Sequence, residues 1–488
     1  MKNLDLLVIK PGAQKKIYQN LSKSLSGLEP PLWAGLLGGF IRERGFNVDI
    51  IDAEIEPERV LSAVVKMRPR LVAIVASGTN PSASTTSMVG ARELLDNIKK
   101  NNRDISTILI GLHPSALPEK TLREESVDFV CEGEGFFTVL DLLSGKPLKD
   151  IKGLFYEENC KILSNPRAEL VDSDDLSMPA WDLLAMNKYR AHNWHCFGHL
   201  DKRSPYGVIY TSLGCPFNCS FCCINAIFGK HTIRYRDPDK VIREIDYLVE
   251  NYGIKNFKIM DEMFALKEER VIQICDSLIQ RGYNLNIWAY ARVDTLNENM
   301  LKRMKQAGIN WLGIGFESGS KRVRDAVSKG RFDNEKMKRI TSLIHSVGIH
   351  IGANFIFGLP EDDLESLGQT LDLAKELNCE YANFYVAMAY PGSKLYEQTL
   401  ADKLPLPDSW LGYSQFSFET QPLPTKYLTA SQILKFRDDA FEEYFSSKRY
   451  QDMILDKFGI QTLAHIQDML KFKLKRRLLE EQETTNKV

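Results

Sequence analysis

The chain lacks any long apolar run. Its longest, Leu32 to Ile41, is interrupted by Gly35, Gly38 and Gly39, and is too short for the roughly 20 residues that a membrane-crossing helix needs. The start, MKNLDLLVIKPG, has no apolar stretch followed by a small-residue cleavage site; it reads as a buried strand entering a turn, so neither a leader peptide nor a membrane partner is expected. An excess of one charge is also missing, with 63 Lys and Arg against 64 Asp and Glu, and no nucleic-acid partner is expected. The nine cysteines are odd in number and mostly unpaired in spacing. They make a poor disulfide framework, and a reducing cytoplasmic location is expected.

What is present is a strand–helix alternation. At 488 residues the chain exceeds the roughly 250–300 that one core sustains, so several domains are expected. Residues 4–9, 47–51, 71–76, 105–110 and 127–131 are short apolar runs. Segments 32–43, 57–67, 84–100 and 118–125 between them have helical spacing. This pattern predicts an α/β domain over 1–150, a doubly wound parallel sheet of the flavodoxin or Rossmann type. Ligands of such sheets sit beyond the carboxyl ends of the strands. Those ends carry Lys10-Pro11-Gly12, Ser77-Gly78-Thr79-Asn80, Gly111-Leu112-His113-Pro114-Ser115 and Gly133-Glu134-Gly135. Such small, turn-forming residues leave room for a large flat ligand, with Ser77, Gly111, His113 and Gly133 as candidate contacts.

Residues 151–200 read as a connector with a small hairpin and a cluster of His192, Trp194, His195 and His199. From 201 to 402 a longer period appears, with strands near 207–211, 256–260, 286–291, 311–316, 350–357 and 381–387. Helices separate them; Asp237-Pro238 opens the first, and Gly253, Gly282, Gly308 and Gly348 close successive ones. Six such units predict a partial (β/α)6 barrel of the TIM type, whose active site lies at the carboxyl mouth. Residues 403–488 read as an irregular proline- and aromatic-rich segment and then a mainly helical region from Thr429 to Glu481, covering the open side of the barrel. The basic run Lys471 to Arg477 reads as a solvated helix face.

The first barrel strand runs into GVIYTSLGCPFNCSFCCINAIFGK, which holds Cys215, Cys219, Cys222 and Cys223. Clustered thiolates select zinc or iron–sulfur units. Structural zinc closes its tetrahedron with a second pair of ligands, and no second pair occurs; Cys223 or His231 remains as a possible fourth ligand. A three-thiolate cubane with one open iron accounts better for the spacing. After later strands come Asp261 and Glu262, then Arg292, a planar fork suited to a carboxylate or to an ion pair with Asp294 or Glu262.

The C-x3-C-x2-C spacing, with Phe221 before the third cysteine and a strand before the loop, resembles the radical SAM superfamily. The resemblance implies a 4Fe-4S cluster on Cys215, Cys219 and Cys222, with S-adenosylmethionine (SAM) on the fourth iron and Cys223 a bystander. It further implies Asp261 or Glu262 as partner of the methionine amino group and Glu317 as the ribose-binding acid. In NFIFGLPE, Ile356 is implied to lie on the adenine, although Asn354 stands where the family has glycine; the backbone near Ala387 is implied to read the adenine edge. The strings PPLWAGLLGGFIRERGFNVDIIDAE, GLHPSALPE and VDFVCEGEG resemble the cobalamin (B12)-binding domain upstream of many radical SAM cores.

The whole chain is thus similar to the class B, methyltransferase-like branch. The D-x-H-x-x-G signature is absent, so base-off cobalamin with its nucleotide tail buried and no protein histidine on cobalt is expected. The resemblance implies an enzyme that cleaves SAM to a 5′-deoxyadenosyl radical and methylates an unactivated carbon of a small-molecule substrate. A reductant such as flavodoxin or ferredoxin is the expected partner. The alternatives are a cyclase or oxidoreductase without methyl transfer, and a non-catalytic corrinoid or cluster carrier.

Overall fold

The computed structural model describes residues 4–22, 25–78, 83–330 and 332–485. Thr79 and Asn80, at the end of the third predicted strand, lie outside the described residues.

Seven strands form the first sheet: β1 (Leu6–Lys10), β2 (Val48–Asp52), β3 (Leu71–Val75), β4 (Ser106–Ile110), β5 (Phe129–Cys131), β6 (Leu154–Glu158) and β7 (Lys161–Ser164), in the order β2-β1-β3-β4-β5-β6-β7. The first five are parallel and β6 and β7 are antiparallel. The hairpin expected within the connector therefore extends the sheet beyond residue 150. Side chains alternate between two cores, as the strand period of two requires. Leu6 and Val8 join a core that continues through the connector into the barrel. Leu7 and Ile9 face a separate cluster with Val72, Ile74 and Leu109. Burial on both faces explains why these strands read as unbroken apolar runs.

The second sheet contains β8 (Tyr206–Ile209), β11 (Asn256–Ile259), β12 (Asn286–Ala291), β13 (Ile309–Glu317), β14 (His350–Phe357) and β15 (Tyr381–Val386), all parallel and in that spatial order. A short antiparallel ribbon, β9 (Ser212–Leu213) with β10 (Arg234–Tyr235), clasps the base of the cysteine loop. The helix ends follow the sequence signals. Asp237 accepts from the amides of Asp239 and Lys240, and Gly253 and Gly282 adopt the left-handed backbone, φ +66° and +64°, that ends their helices.

The six-stranded sheet does not close on itself. Its open side is covered by the connector around Trp194, the N-terminal segment around Tyr18 and the C-terminal region. Gln415 acts as a side-chain extension of the sheet: its amide accepts from the Val386 amide at 2.8 Å and donates to the Val386 carbonyl at 3.0 Å. The C-terminal region is four helices, Ala430–Ser446, Lys448–Phe458, Ile460–Leu470 and Arg477–Thr485, rather than one continuous pattern. In the basic run, Lys471, Lys473, Lys475 and Arg477 are exposed as expected, but residues 472–476 are not helical and Arg476 turns inward. Arg476 is buried, pairs with Asp438 at 3.0 Å and donates to the carbonyls of Gln415 and Ser417.

Candidate active site

The cysteine loop begins where β8 and β9 end. Asp261, fully buried after β11, accepts from the Thr211 amide at 2.6 Å and from the hydroxyls of Thr211 and Ser212 at 2.5 and 2.6 Å. Its carboxylate is thereby taken up in aiming the loop and does not line the cavity beyond. Gly214 follows with φ +90°, where an added Cβ would stand 2.4 Å from the Thr232 carbonyl; only glycine lets the two arms of the loop approach so closely. His231 is turned to the Phe217 carbonyl at 2.9 Å and to Asn225, holding the loop from outside.

Cys215, Cys219 and Cys222 are half-buried and line one cavity of about 340 Å³. Burial pushes the Cys215 thiol up to about 11 and Cys222 to about 12, so a metal must displace their protons. Among the described residues no three His, Cys, Asp or Glu groups gather around a point as ligands of a single ion. A cubane takes one thiolate on each of three irons and needs no fourth protein ligand. The donor set, all sulfur and all on one wall of the cavity, fits the cluster. Cys223 is 2% exposed among apolar neighbours including Ile224 and Phe228, and burial holds its thiol protonated.

Glu262 reaches the cavity wall beside the cysteines. Burial pushes its carboxyl up to about 8, and its Oε2 is buried without a hydrogen-bond partner. A buried, orphaned acceptor of this kind fits an ammonium. Arg292 forms the ion pair with Asp294, at 2.9 and 3.0 Å, lies 3.8 Å over the Phe217 ring, and points Nη1 at Cys219 Sγ at 3.8 Å. Glu317 ends β13 at a register break after Gly315, with φ +64°. Strain at a non-glycine residue of this kind persists where the surroundings enforce it. Here the carboxylate is tied to Lys329 Nζ at 2.6 Å. Ile356 lines the same wall. Ala387 contributes only its methyl: its amide donates to the Phe357 carbonyl at 2.8 Å and its carbonyl accepts from Leu423 at 3.1 Å. Of the backbone expected to read an adenine edge, the amide and carbonyl of Ala387 itself are engaged within the protein.

The opposite wall of this cavity belongs to the helices and strand-end loops around the first sheet, through Trp33, Ser77, Ser84 and Leu112. Glu134 straps the two halves together, pairing with Arg234 of β10 and accepting from the Val171 amide at 2.8 Å, while the Trp33 indole donates to the Glu134 carbonyl at 3.1 Å. Gly111 needs its φ of +144°, since a Cβ would meet the Ala76 carbonyl at 2.3 Å. Gly133, φ +120°, donates to Ser115 at 3.0 Å. His113 is buried, bonded to Thr85 at 3.1 Å and set edge-on to Trp410 at 4.5 Å; burial pushes it down to about 3, so it is neutral. It does not line the cavity.

Comparison with known proteins accounts for this two-walled cleft. The family model of the radical SAM superfamily matches residues 209–374, and that of the B12 binding domain matches residues 21–143. The chain is 32% identical over 454 residues to an uncharacterised methyltransferase of Pyrococcus horikoshii, covering 91% of this chain and 93% of that protein. The chain belongs to the B12-dependent, methyltransferase-like radical SAM family. This radical SAM enzyme is also 25% identical to an anaerobic magnesium-protoporphyrin IX monomethyl ester cyclase of Rubrivivax gelatinosus, over 89% of this chain and 77% of that one. Its fold is that of the radical SAM methyltransferase TsrM from Kitasatospora setae, solved with cobalamin and a 4Fe-4S cluster bound, with a TM-score of 0.68, 16% identity and coverage of 91% and 89%.

The cofactors of this radical SAM enzyme are accordingly a 4Fe-4S cluster, SAM and cobalamin. Among the described residues no helix is long and apolar enough to cross a membrane. Sequence reasoning passed over Lys329, which stands in no motif and reaches the cleft only because the loop after helix Lys321–Ala326 folds back over Glu317. It also passed over Trp33 and Tyr210, which look like ordinary core residues in sequence.

Proposed function

We propose that the chain transfers a methyl group to an unactivated carbon of a small molecule whose reacting end enters between the two walls of the cleft. The observation carrying this reading is that the three cysteines, Glu262, Arg292, Glu317 and Ile356 share one cavity with Trp33, Ser77 and Leu112 of the N-terminal, cobalamin-side region. When bound, the cluster supplies the electron that cleaves SAM, and cobalamin supplies the methyl group. Cys215, Cys219 and Cys222 hold the cluster. Glu262 receives the methionine ammonium, and its carboxyl gives up its proton as that cation arrives. Arg292, already braced by Asp294, presents its remaining N–H groups towards the methionine carboxylate. Glu317 accepts from the ribose hydroxyls once Lys329 is shared with SAM, and Ile356 lies against the adenine. The apolar wall excludes water around the reacting carbon. Ser77, Gly111 and Gly133 would hold cobalamin at the strand ends, while the neutral His113 is kept within the domain by its bond to Thr85.

Residues 1–150, extended by the β6–β7 hairpin, form the cobalamin domain in this reading, 151–200 the connector, 201–402 the catalytic barrel and 403–488 the cover. The enzyme works in a reducing cytoplasm with a flavodoxin or ferredoxin as donor. A second reading, ring formation without methyl transfer, is supported by the similarity to the Rubrivivax cyclase. Anaerobically loaded enzyme, reduced with dithionite, should release 5′-deoxyadenosine. Cys219→Ala should abolish that product together with the visible absorbance of the cluster, and Cys223→Ala should keep both. Loss of neither in Cys219→Ala refutes the assignment. Labelled methyl from SAM in the product separates transfer from cyclisation.

A further inference from the structure

Beneath the cofactor cleft lies a second cavity of about 350 Å³ inside the barrel. The two are contiguous: Tyr290, Gly313, Asn354, Tyr385, Tyr390 and Gln415 line both. A molecule in the lower chamber therefore has its inner end at the cofactors. The lower wall is strongly aromatic, with Trp194, Trp288, Tyr381 and Phe416 among its lining residues. Glycine makes the room, since a Cβ on Gly352 would meet nothing closer than the Trp194 ring at 3.9 Å.

The charges on this wall are each answered from within the protein. Lys258 pairs with Glu29 at 3.1 Å and lies 4.8 Å from the Trp288 ring centroid, so that indole face already holds a cation. Arg437 pairs with Asp438 at 2.7 Å and donates to the Phe384 carbonyl. Lys473 pairs with Glu442 at 2.5 Å. Arg476, which shares Asp438, has its other donors on Gln415, Ser417 and Thr420. His192 accepts from the Gly27 amide at 3.1 Å and is held neutral by burial. The wall's free hydrogen-bonding capacity is neutral. Among the described residues the phenol oxygens of Tyr18, Tyr290 and Tyr385 have no hydrogen-bond partner, and Asn354 and Asn383 pair with one another at 3.0 Å.

We infer that the chamber selects an uncharged aromatic substrate, with its ring against Trp194, Trp288, Tyr381 and Phe416 and a hydroxyl or carbonyl read by Tyr290 and Tyr385. An anion entering would lose its hydration without gaining an unpaired cation, and a cation would meet Lys258; either costs more than a neutral ring. A stacked ring gains both burial and aromatic contact. The inference rests on the function proposed above only in identifying the bound molecule as substrate.

Binding is measured by calorimetry on the anaerobic holoenzyme saturated with SAM, using 2-naphthalenemethanol, 2-naphthoate and 2-naphthylmethylammonium as matched neutral, anionic and cationic probes. The neutral probe is expected to bind at least about tenfold more tightly than either ion, a difference of about 1.4 kcal/mol. Gly352→Leu should remove that binding while the cluster spectrum and near-ultraviolet circular dichroism stay unchanged. Should that variant not fold, Tyr385→Phe should weaken 2-naphthalenemethanol severalfold and leave 2-methylnaphthalene unaffected. Equal or tighter binding of an ion overturns the inference, as does a folded Gly352→Leu that still binds the neutral probe. Release of 5′-deoxyadenosine by the unmodified enzyme is independent of these outcomes and tests the function alone.

Discussion

The buried pair joining the N-terminal segment to the barrel makes a quantitative test of how the two halves hold together. Glu29 and Lys258 are each 2% exposed, with nitrogen–oxygen distances of 3.1 and 3.2 Å. Burial pushes the Glu29 carboxyl up and the Lys258 ammonium down, while the attraction between them opposes both. Lys258→Met strips that attraction and leaves Glu29 buried, so the carboxyl takes up a proton on folding. Keeping it protonated at pH 7 against an ordinary value of 4.5 costs about 3.4 kcal/mol, at about 1.4 kcal/mol for each pH unit between them. A folded-state pKa raised above the unfolded one means stability falls as pH rises through that window. The deficit of the variant should therefore shrink to about 0.7 kcal/mol at pH 5. Urea denaturation followed by tryptophan fluorescence at both pH values measures it, and Glu29→Leu with Lys258→Met should recover to within about 1 kcal/mol of the parent. A deficit below about 1 kcal/mol at pH 7, or one that does not change with pH, would refute the argument.

Two further variants probe other parts of the molecule. Glu380 is buried beneath the barrel between His345 at 3.1 Å, His350 at 3.5 Å and Lys457, and these partners hold its carboxyl well below the usual range. Because the partners are themselves partly exposed, Glu380→Gln should cost about 2 kcal/mol at pH 7. Its folded pKa is depressed, so the stabilisation is fully present above about pH 4.5 and is lost as pH falls through the folded value; the gap in urea midpoint between variant and parent should be smaller at pH 4 than at pH 7 without closing. At the cofactor cleft, Glu317→Gln should weaken SAM by about tenfold, the loss of about one charge-assisted hydrogen bond, in equilibrium dialysis of cluster-loaded enzyme.

Much of this molecule was legible before any folding was considered. The strand period, the apolar runs buried on both faces, and the Asp237 and Gly253 helix ends are local signals, and each element formed within a few residues of its expected place. The cysteine spacing was equally local, since three thiols within eight residues must share one loop whatever surrounds them. The role of Asp261 was not legible: two adjacent carboxylates at a strand end look alike in sequence, and only the fold turned Asp261 into the base of the loop and Glu262 into the cavity. The backbone of Ala387 makes a related case: its amide bonds Phe357 of the neighbouring strand, but its carbonyl accepts from Leu423 of the distant cover, which no local pattern announces.

The sequence alone determined which residues carry chemistry and on which elements they sit, because propensity, capping and motif spacing act over a few residues. The tertiary structure alone decided what those residues face. Lys329 meeting Glu317, Glu29 meeting Lys258, and a neutral aromatic chamber opening beneath the cofactor cleft all join segments far apart in the chain. Burial and charge pairing between such segments depend on how the two sheets and the cover close around one another, and no local pattern encodes that.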